Sequence, residues 1–258
     1  MTAPAPTVTP ELRQVLRRLK LGKMLDTLPE RLVLAKQNKL AHAAFLELVL
    51  ADEIDRRDRT GTTQRARAAG LDPTMTLESW EDHDAITYDH DMLTELATLR
   101  FVEDRQCAFI LGPVGVGKTH LAHALGQIAC RRRIRVHAER ADRLFKRLKA
   151  ARLDNSHEHE IRKLIAVDLL LIDDFALHAL DAVATGDFYE IAVERHLSGA
   201  TVLTSNREPI EWLGQLADPL LAQSALDRLQ SSAYELVIEG ESYRRRQKPT
   251  ITPTRRAR

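Results

Sequence analysis

The sequence predicts an α/β protein, with a parallel sheet sandwiched by helices and preceded by a small all-α N-terminal domain. Three observations predict it. The glycine-rich segment Gly112-Pro113-Val114-Gly115-Val116-Gly117-Lys118-Thr119 stands between a short apolar run, CAFIL, and a helical pattern. From about residue 106 onward, apolar runs of strand length alternate with segments of helical period, the signature of parallel strands joined by crossover helices. Before residue 100 there is no strand pattern, and apolar residues recur at helical spacing.

In chain order, residues 1–9 are rich in Pro, Thr and Ala and are expected to be disordered. Leu12, Val15, Leu16 and Leu19 then mark a helix face, Gly22 and Pro29 punctuate, and Phe45 with Leu48, and Leu46 with Leu50 and Ile54, again suit helices. Residues 52–70 are charged, and Gly61 among Thr60, Thr62 and Thr63 predicts a break between two short basic helices. Residues 70–90 read as an acidic linker whose Trp80 packs onto the next domain. Strands are expected at CAFIL (107–111), IRVHA (134–138), DLLLI (168–172), ATVLTS (200–205) and AYELVIE (233–239). Helices are expected at 118 to about 130, 141–152, 183–197 and 216–229. The expected division is a helical domain at 1–70, an ATPase domain at 71–247 and a disordered basic tail at 248–258.

The 258 residues are 44% hydrophobic, enough to bury a sizeable core. The net charge of +1 does not announce a polyanionic partner, so any such partner must be met by local clusters. Cys107 and Cys130 both lie in apolar periodic segments, which reads as reduced thiols rather than a disulfide framework. The longest apolar stretch, Leu164 to Leu180, is cut by Asp168, Asp173 and Asp174, too often for a membrane span. The opening MTAPAPTVTP lacks the basic and apolar blocks of a signal peptide, so the cytoplasm is the expected location.

The pattern G-x-x-x-x-G-K-[ST] carries the first chemistry. Glycines let backbone N–H groups turn inward around phosphate oxygens, and the helix that follows presents its positive end. Lys118 reaches β- and γ-phosphates, Thr119 holds Mg²⁺, and His120 follows directly as the last residue expected at the nucleotide. In LLLIDD, burial of the strand sends Asp173 and Asp174 to its C-terminal end, where α/β sheets place ligands. Asp173 then belongs to the Mg²⁺ shell, and Asp174 stands where a carboxylate orients water. The strand TVLTS emerges into Asn206, which can bond that water or the γ-phosphate. Arg228 in LDRL has the character of an arginine finger acting on a neighbouring copy, against the plainer reading of a surface arginine paired with Asp227 or another neighbour. Arg244 in GESYRRR can touch the γ-phosphate, against the plainer reading of a solvated basic run.

Two groups of basic residues are candidates for DNA phosphates: Arg56, Arg57, Arg59, Arg65 and Arg67, and Lys146, Arg147 and Lys149. The competing reading of the first group is a solvated helix paired at i, i+3 and i+4 with Glu53, Asp55 and Asp58. His120 and His123 have no Cys or Asp set at metal-site spacing and are not expected to bind metal.

Taken together, TLESW (76–80), ELATLRFVE (95–103), LGPVGVGKTHLAHALG (111–126), LLLIDD, TSNREPIEW (204–212), ALDRL (225–229) and GESYR (240–244) resemble the IstB helper ATPases of insertion-sequence transposition. These are relatives of the DnaC helicase loaders within the initiator branch of AAA+ proteins. The resemblance covers residues from about 10 to 247. It implies an AAA+ ATPase using ATP and Mg²⁺, binding double-stranded DNA, forming a homo-oligomer with a trans-acting arginine, and recruiting or regulating a cognate transposase. By position it makes Asp173 the metal carboxylate, Asn206 the first sensor, Arg228 the finger and Arg244 the second sensor. The family usually carries Glu where this chain has Asp174, and a carboxylate shorter by one methylene implies slower hydrolysis. A replicative helicase loader and a nucleotide-gated DNA clamp with negligible turnover are the competing readings.

Overall fold

A computed structural model describes residues 8–81 and 86–243. The chain divides into two compact units, Met1–Thr63 and Gln64–Arg258. The expected tail at 248–258 lies outside the described residues.

The first unit holds α1 (Pro10–Arg18), a 3₁₀ turn (Gly22–Asp26), α2 (Leu28–Gln37) and most of α3 (His42–Ala68). Helix α1 starts where Thr9 accepts the Leu12 N–H through its hydroxyl at 3.3 Å, with Pro10 in the first turn. The core is small: Val8, Leu16, Met24, Leu28 and Val49. Only Leu16 of the expected α1 stripe enters it, and Leu12, Val15 and Leu19 are exposed. The reason is size, since so small a core is filled by one residue from each element. The expected break at Gly61 is also absent, because α3 runs unbroken through it. Thr60 and Thr63 donate their hydroxyls back to the carbonyls of Arg56 (2.9 Å) and Arg59 (3.0 Å). A lone helical glycine costs only about 1 kcal/mol relative to alanine, too little to end a 27-residue helix.

In the second unit the order is β1 (Ile86–Thr87), α4 (His90–Thr98), α5 (Arg100–Glu103), β2 (Cys107–Leu111), α6 (Lys118–Arg131), β3 (Val136–Arg140), α7 (Ala141–Ala151) and α8 (His157–Ala166). There follow β4 (Leu169–Asp173), α9 (Ala182–Arg195), β5 (Ala200–Ser205), α10 (Pro209–Trp212), α11 (Pro219–Gln230), β6 (Ala233–Val237) and β7 (Glu239–Gly240). Five strands form one parallel sheet in the order β3-β4-β5-β2-β6. The remaining pair, β1 with β7, is a short antiparallel ladder, so one two-residue strand does precede residue 100.

The sheet is covered on both faces, and strand alternation shows it. Ala108, Ile110, Leu169 and Leu171 join one cluster with Leu121, Leu125 and Ala129 of α6. Phe109, Leu111, Leu170 and Ile172 join the other, with Leu144 of α7, Phe188 of α9 and Leu226 of α11. Ala66, Ala69 and Leu71 are buried in the first of these clusters, which is why the chain divides after Thr63 and not at residue 70.

One buried charge ties the helices to the sheet. Arg195, 1% exposed, donates to the carbonyls of Leu164 (2.8 Å), Val167 (2.9 Å) and Ala200, and to Thr201 Oγ1 (3.0 Å). Burial lowers its pKa to about 10.

Candidate phosphate-binding site

The site lies at the carboxyl edge of the sheet, where β2, β4 and β5 end side by side. Leaving β2, the chain turns at Gly112 with φ +144°, and a Cβ there would fall 2.1 Å from the Ile238 carbonyl oxygen. Gly117 closes the loop at φ +99°, and a Cβ there would fall 2.4 Å from the Trp80 indole. Both positions therefore require glycine. Helix α6 begins at Lys118, and its first intrahelical acceptor bond is from the Leu121 N–H to the Gly117 carbonyl at 3.0 Å. The helix itself offers no acceptor to the N–H groups of its first turn, including those of Lys118, Thr119 and His120. Together with the helix dipole, this is a cradle for an anion.

Lys118 is buried, and its ammonium donates to the Gly112 and Pro113 carbonyls at 2.7 Å each. The Thr119 hydroxyl donates to the two oxygens of Asp173 at 2.9 and 3.1 Å. Thr204 donates to Asp173 Oδ1 at 2.5 Å and accepts the Asp174 N–H through the same oxygen at 3.0 Å. A hydroxyl and a buried carboxylate at the foot of the cradle suit a magnesium ion, which takes one or two protein ligands and fills its shell with water and phosphate. Among the described residues no cluster of three or more His, Cys, Asp or Glu side chains forms a metal site made by protein alone.

Asp174 follows β4 at φ +55°, and Arg140 at the end of β3 reaches it at 3.7 Å while also pairing with Asp142 at 3.2 Å. Asn206 is exposed, immediately beyond β5, between the ends of β4 and β2. Arg244 lies outside the described residues. Its neighbour Tyr243 donates its N–H to the Gly115 carbonyl at 2.9 Å, so the chain returns to the loop there. Arg228 is not drawn to the loop: its guanidinium donates to Ser224 of its own helix, at 2.7 Å to the carbonyl and 2.5 Å to the hydroxyl.

The ring of His120 is engaged by the segment before Trp80. Its Nε2 lies 2.8 Å from the Thr76 carbonyl and 3.3 Å from Ser79 Oγ, which leaves its backbone N–H as the group available to a phosphate. His123 Nδ1 accepts the Asp72 N–H at 2.9 Å. Burial lowers its pKa below the ordinary 6.5, against the pull of Asp173 and Asp72. A folded pKa below the unfolded one means stability that is present above 6.5 and lost as pH falls below it. The melting temperature of the second unit is expected to drop as pH falls below about 6.5. His123→Gln, which keeps a non-titrating acceptor, flattens that part of the profile. An equal drop in the variant rejects His123 as the source.

The basic candidates fare unevenly. Arg56 and Arg57 grip the buried carboxylate of Glu53 at 2.7 Å each, and the Arg56 bond, helped by Arg57, holds it at about pKa 2. Arg65 donates to the Cys130 carbonyl at 3.0 Å, while Arg59 and Arg67 are exposed. Arg147 pairs with Glu139 (2.7 Å) and Glu160, Lys149 pairs with Asp181 at 2.8 Å, and Lys146 is exposed. Most of these cations thus have a structural partner. Sequence reasoning also missed Arg140, although the register that sets Arg140 opposite Asp173 follows from pairing the two strands.

Among the described residues no helix is long and apolar enough to cross a membrane. The family described as IstB-like ATP binding protein matches residues 14–250. An insertion-sequence ATP-binding protein of Mycobacterium tuberculosis is 37% identical over 94% of this chain and 97% of its own length. The IS21 ATP-binding protein of Pseudomonas aeruginosa is 33% identical over 92% of this chain and 90% of its own. Among solved structures, AMPPCP-bound DnaA of Aquifex aeolicus superposes with a TM-score of 0.53 at 26% identity, covering 66% of this chain and 51% of DnaA. The DnaC helicase loader shares the fold, with a TM-score of 0.51 at 19% identity over 64% of this chain and 97% of its own.

Proposed function

Because the chain belongs to the family of IstB-like ATP-binding proteins, we propose that it binds ATP with Mg²⁺, hydrolyses it to ADP and phosphate, and works on double-stranded DNA as an oligomer that recruits a transposase. The observation that carries the nucleotide reading is the glycine-cornered cradle whose floor joins Thr119 to Asp173. Backbone N–H groups at the start of α6 and the Lys118 ammonium hold the phosphates. Thr119 and Asp173 hold the metal ion, which when bound neutralises charge on the phosphate oxygens. Asp174 orients the attacking water from the end of β4, and Asn206 bonds it from the end of β5. The insertion-sequence names of the relatives support the DNA and transposase parts.

Lys118→Ala tests the nucleotide reading. Removing a buried, charge-assisted contact costs a few kcal/mol, so ATP affinity is expected to fall about 100-fold or more in calorimetry. Unchanged affinity rejects the site.

One observation favours a second reading, a nucleotide-gated DNA clamp with slow turnover. Arg140 sits 3.7 Å from Asp174, so the water-orienting carboxylate has a cation competing for it. Tight ATP binding with turnover no faster than a buffer blank would select that reading.

A further inference from the structure

Much of the arginine-rich stretch in the first unit is committed to carboxylates, and uncommitted positive charge also gathers elsewhere in that unit. In that unit Arg31 is bidentate to Asp52, at 2.6 and 3.0 Å, and Arg56 and Arg57 share Glu53. By contrast, an open cleft of about 580 Å³ between α1 and the 3₁₀ turn is lined by Arg13, Arg17, Lys20 and Lys23, with Asp26 its one carboxylate. Among the described residues the ion pair there, Lys23 with Asp26, is a 3.9 Å contact between side chains each 70% exposed, too weak to neutralise the cleft. No carboxylate pairs with Arg13, Arg17 or Lys20 among the described residues.

We propose that this cleft is a binding site for the phosphodiester backbone of duplex DNA, with Arg13, Arg17 and Lys20 as its phosphate contacts. The spacing suits the ligand. Arg13 and Arg17 are four residues apart on one face of α1, about 6 Å along its axis. The phosphates of one DNA strand advance about 3.4 Å per nucleotide along the duplex axis, so the spacing of the two side chains corresponds to about two nucleotide steps, within reach of two phosphates of one strand. Lys20 extends the row past the helix end. It sits at φ +59°, and its carbonyl accepts a 3.0 Å bond from Arg57 Nη2. The Arg56–Glu53–Arg57 clasp therefore positions the turn that carries Lys20, which gives those arginines a supporting role instead of a phosphate contact. The contacts are to backbone charge alone, so the site reads no base sequence.

The inference rests on the proposal that the chain binds DNA, and the experiment separates the two. The full chain is titrated against a duplex of mixed sequence over a series of salt concentrations, as wild type, as Arg13→Glu/Arg17→Glu/Lys20→Glu and as the same triple change to Gln. Wild type that never binds duplex refutes the DNA reading and the cleft with it. If wild type binds, both variants are expected to lose about 10-fold or more in affinity, with the Glu form weaker. The slope of log K against log[salt] is expected to fall by about 0.9 for each contact removed. ATP affinity and melting temperature stay unchanged, since all three side chains are exposed and lie in the other unit from the nucleotide site. If the Glu form unfolds, the Gln form decides. Unaltered DNA affinity and salt slope in a folded variant overturn the cleft and leave the DNA reading standing. Calorimetry with inorganic phosphate distinguishes a free-anion site: phosphate binding lost in the variants while DNA binding is kept also overturns it.

Discussion

Replacing Arg228 with alanine is expected to leave ATP binding intact and to lower turnover by about 10³-fold or more, the range arginine fingers supply. The guanidinium is a planar fork of donors suited to charge spread over phosphoryl oxygens. It sits in the last turn of α11, half-buried, steered by two bonds to Ser224 on its own helix. Those bonds are internal to the helix, and none joins the group to the phosphate-binding loop of its own chain. If the finger acts on a neighbouring copy, as proposed, adding Lys118→Ala protein, which keeps Arg228 but lacks its own phosphate grip, restores part of the activity. Full activity of Arg228→Ala alone, or a mixture with no rescue, rejects the shared site.

Arg195→Met is expected to lower the stability of the second unit by about 3–5 kcal/mol, read as a shift in the denaturation midpoint. Methionine fills a similar volume, so the loss isolates polarity from packing. The carbonyls of Leu164, Val167 and Ala200 would remain in the interior with their donor gone, and each orphaned acceptor costs about 1–3 kcal/mol. Trading a buried ion pair for apolar groups can be harmless because both charges leave together. Here the acceptors are backbone and cannot leave. Arg195→Lys, a point charge without the fork, is expected to recover only part of the loss. A methionine variant with an unchanged midpoint refutes the hub.

The same contrast between local and distant partners explains what could be read in the sequence. Strands β2 and β5 were legible to the residue, because fully buried parallel strands are continuous apolar runs with glycine or a polar turn at the end. The loop from Gly112 to Thr119 and the pair Asp173 and Asp174 were legible because phosphate chemistry fixes their spacing. Helices α4 and α8 were missed. They are nine and ten residues long, and their burial depends on which neighbours they meet, as with Leu96 of α4 and Leu164 of α8. Residues of α1 at helical spacing mark a helix face, and period shows only that a face exists and not that anything covers it. Basic clusters were the least legible. The i+3 and i+4 pairing of Glu53 with Arg56 and Arg57 could be weighed in advance, whereas Arg65 on the Cys130 carbonyl depends on a fold-level meeting.

Trp80 stacks its indole over Gly117, edge-on to His120 at 5.4 Å between ring centroids, with its N–H donated to the Tyr88 hydroxyl at 3.1 Å. The chain's other tryptophan, Trp212, is wholly enclosed in the core. The molecule therefore contains two fluorophores of opposite kind. One is half-buried and borders the loop, and the other is shielded from solvent. Emission from the first is expected to respond to a rearrangement of the loop without a dye or label, while the second is closed to quenchers in solution. Events at the loop can in this way be timed optically in the unmodified chain, on the millisecond scale of rapid mixing.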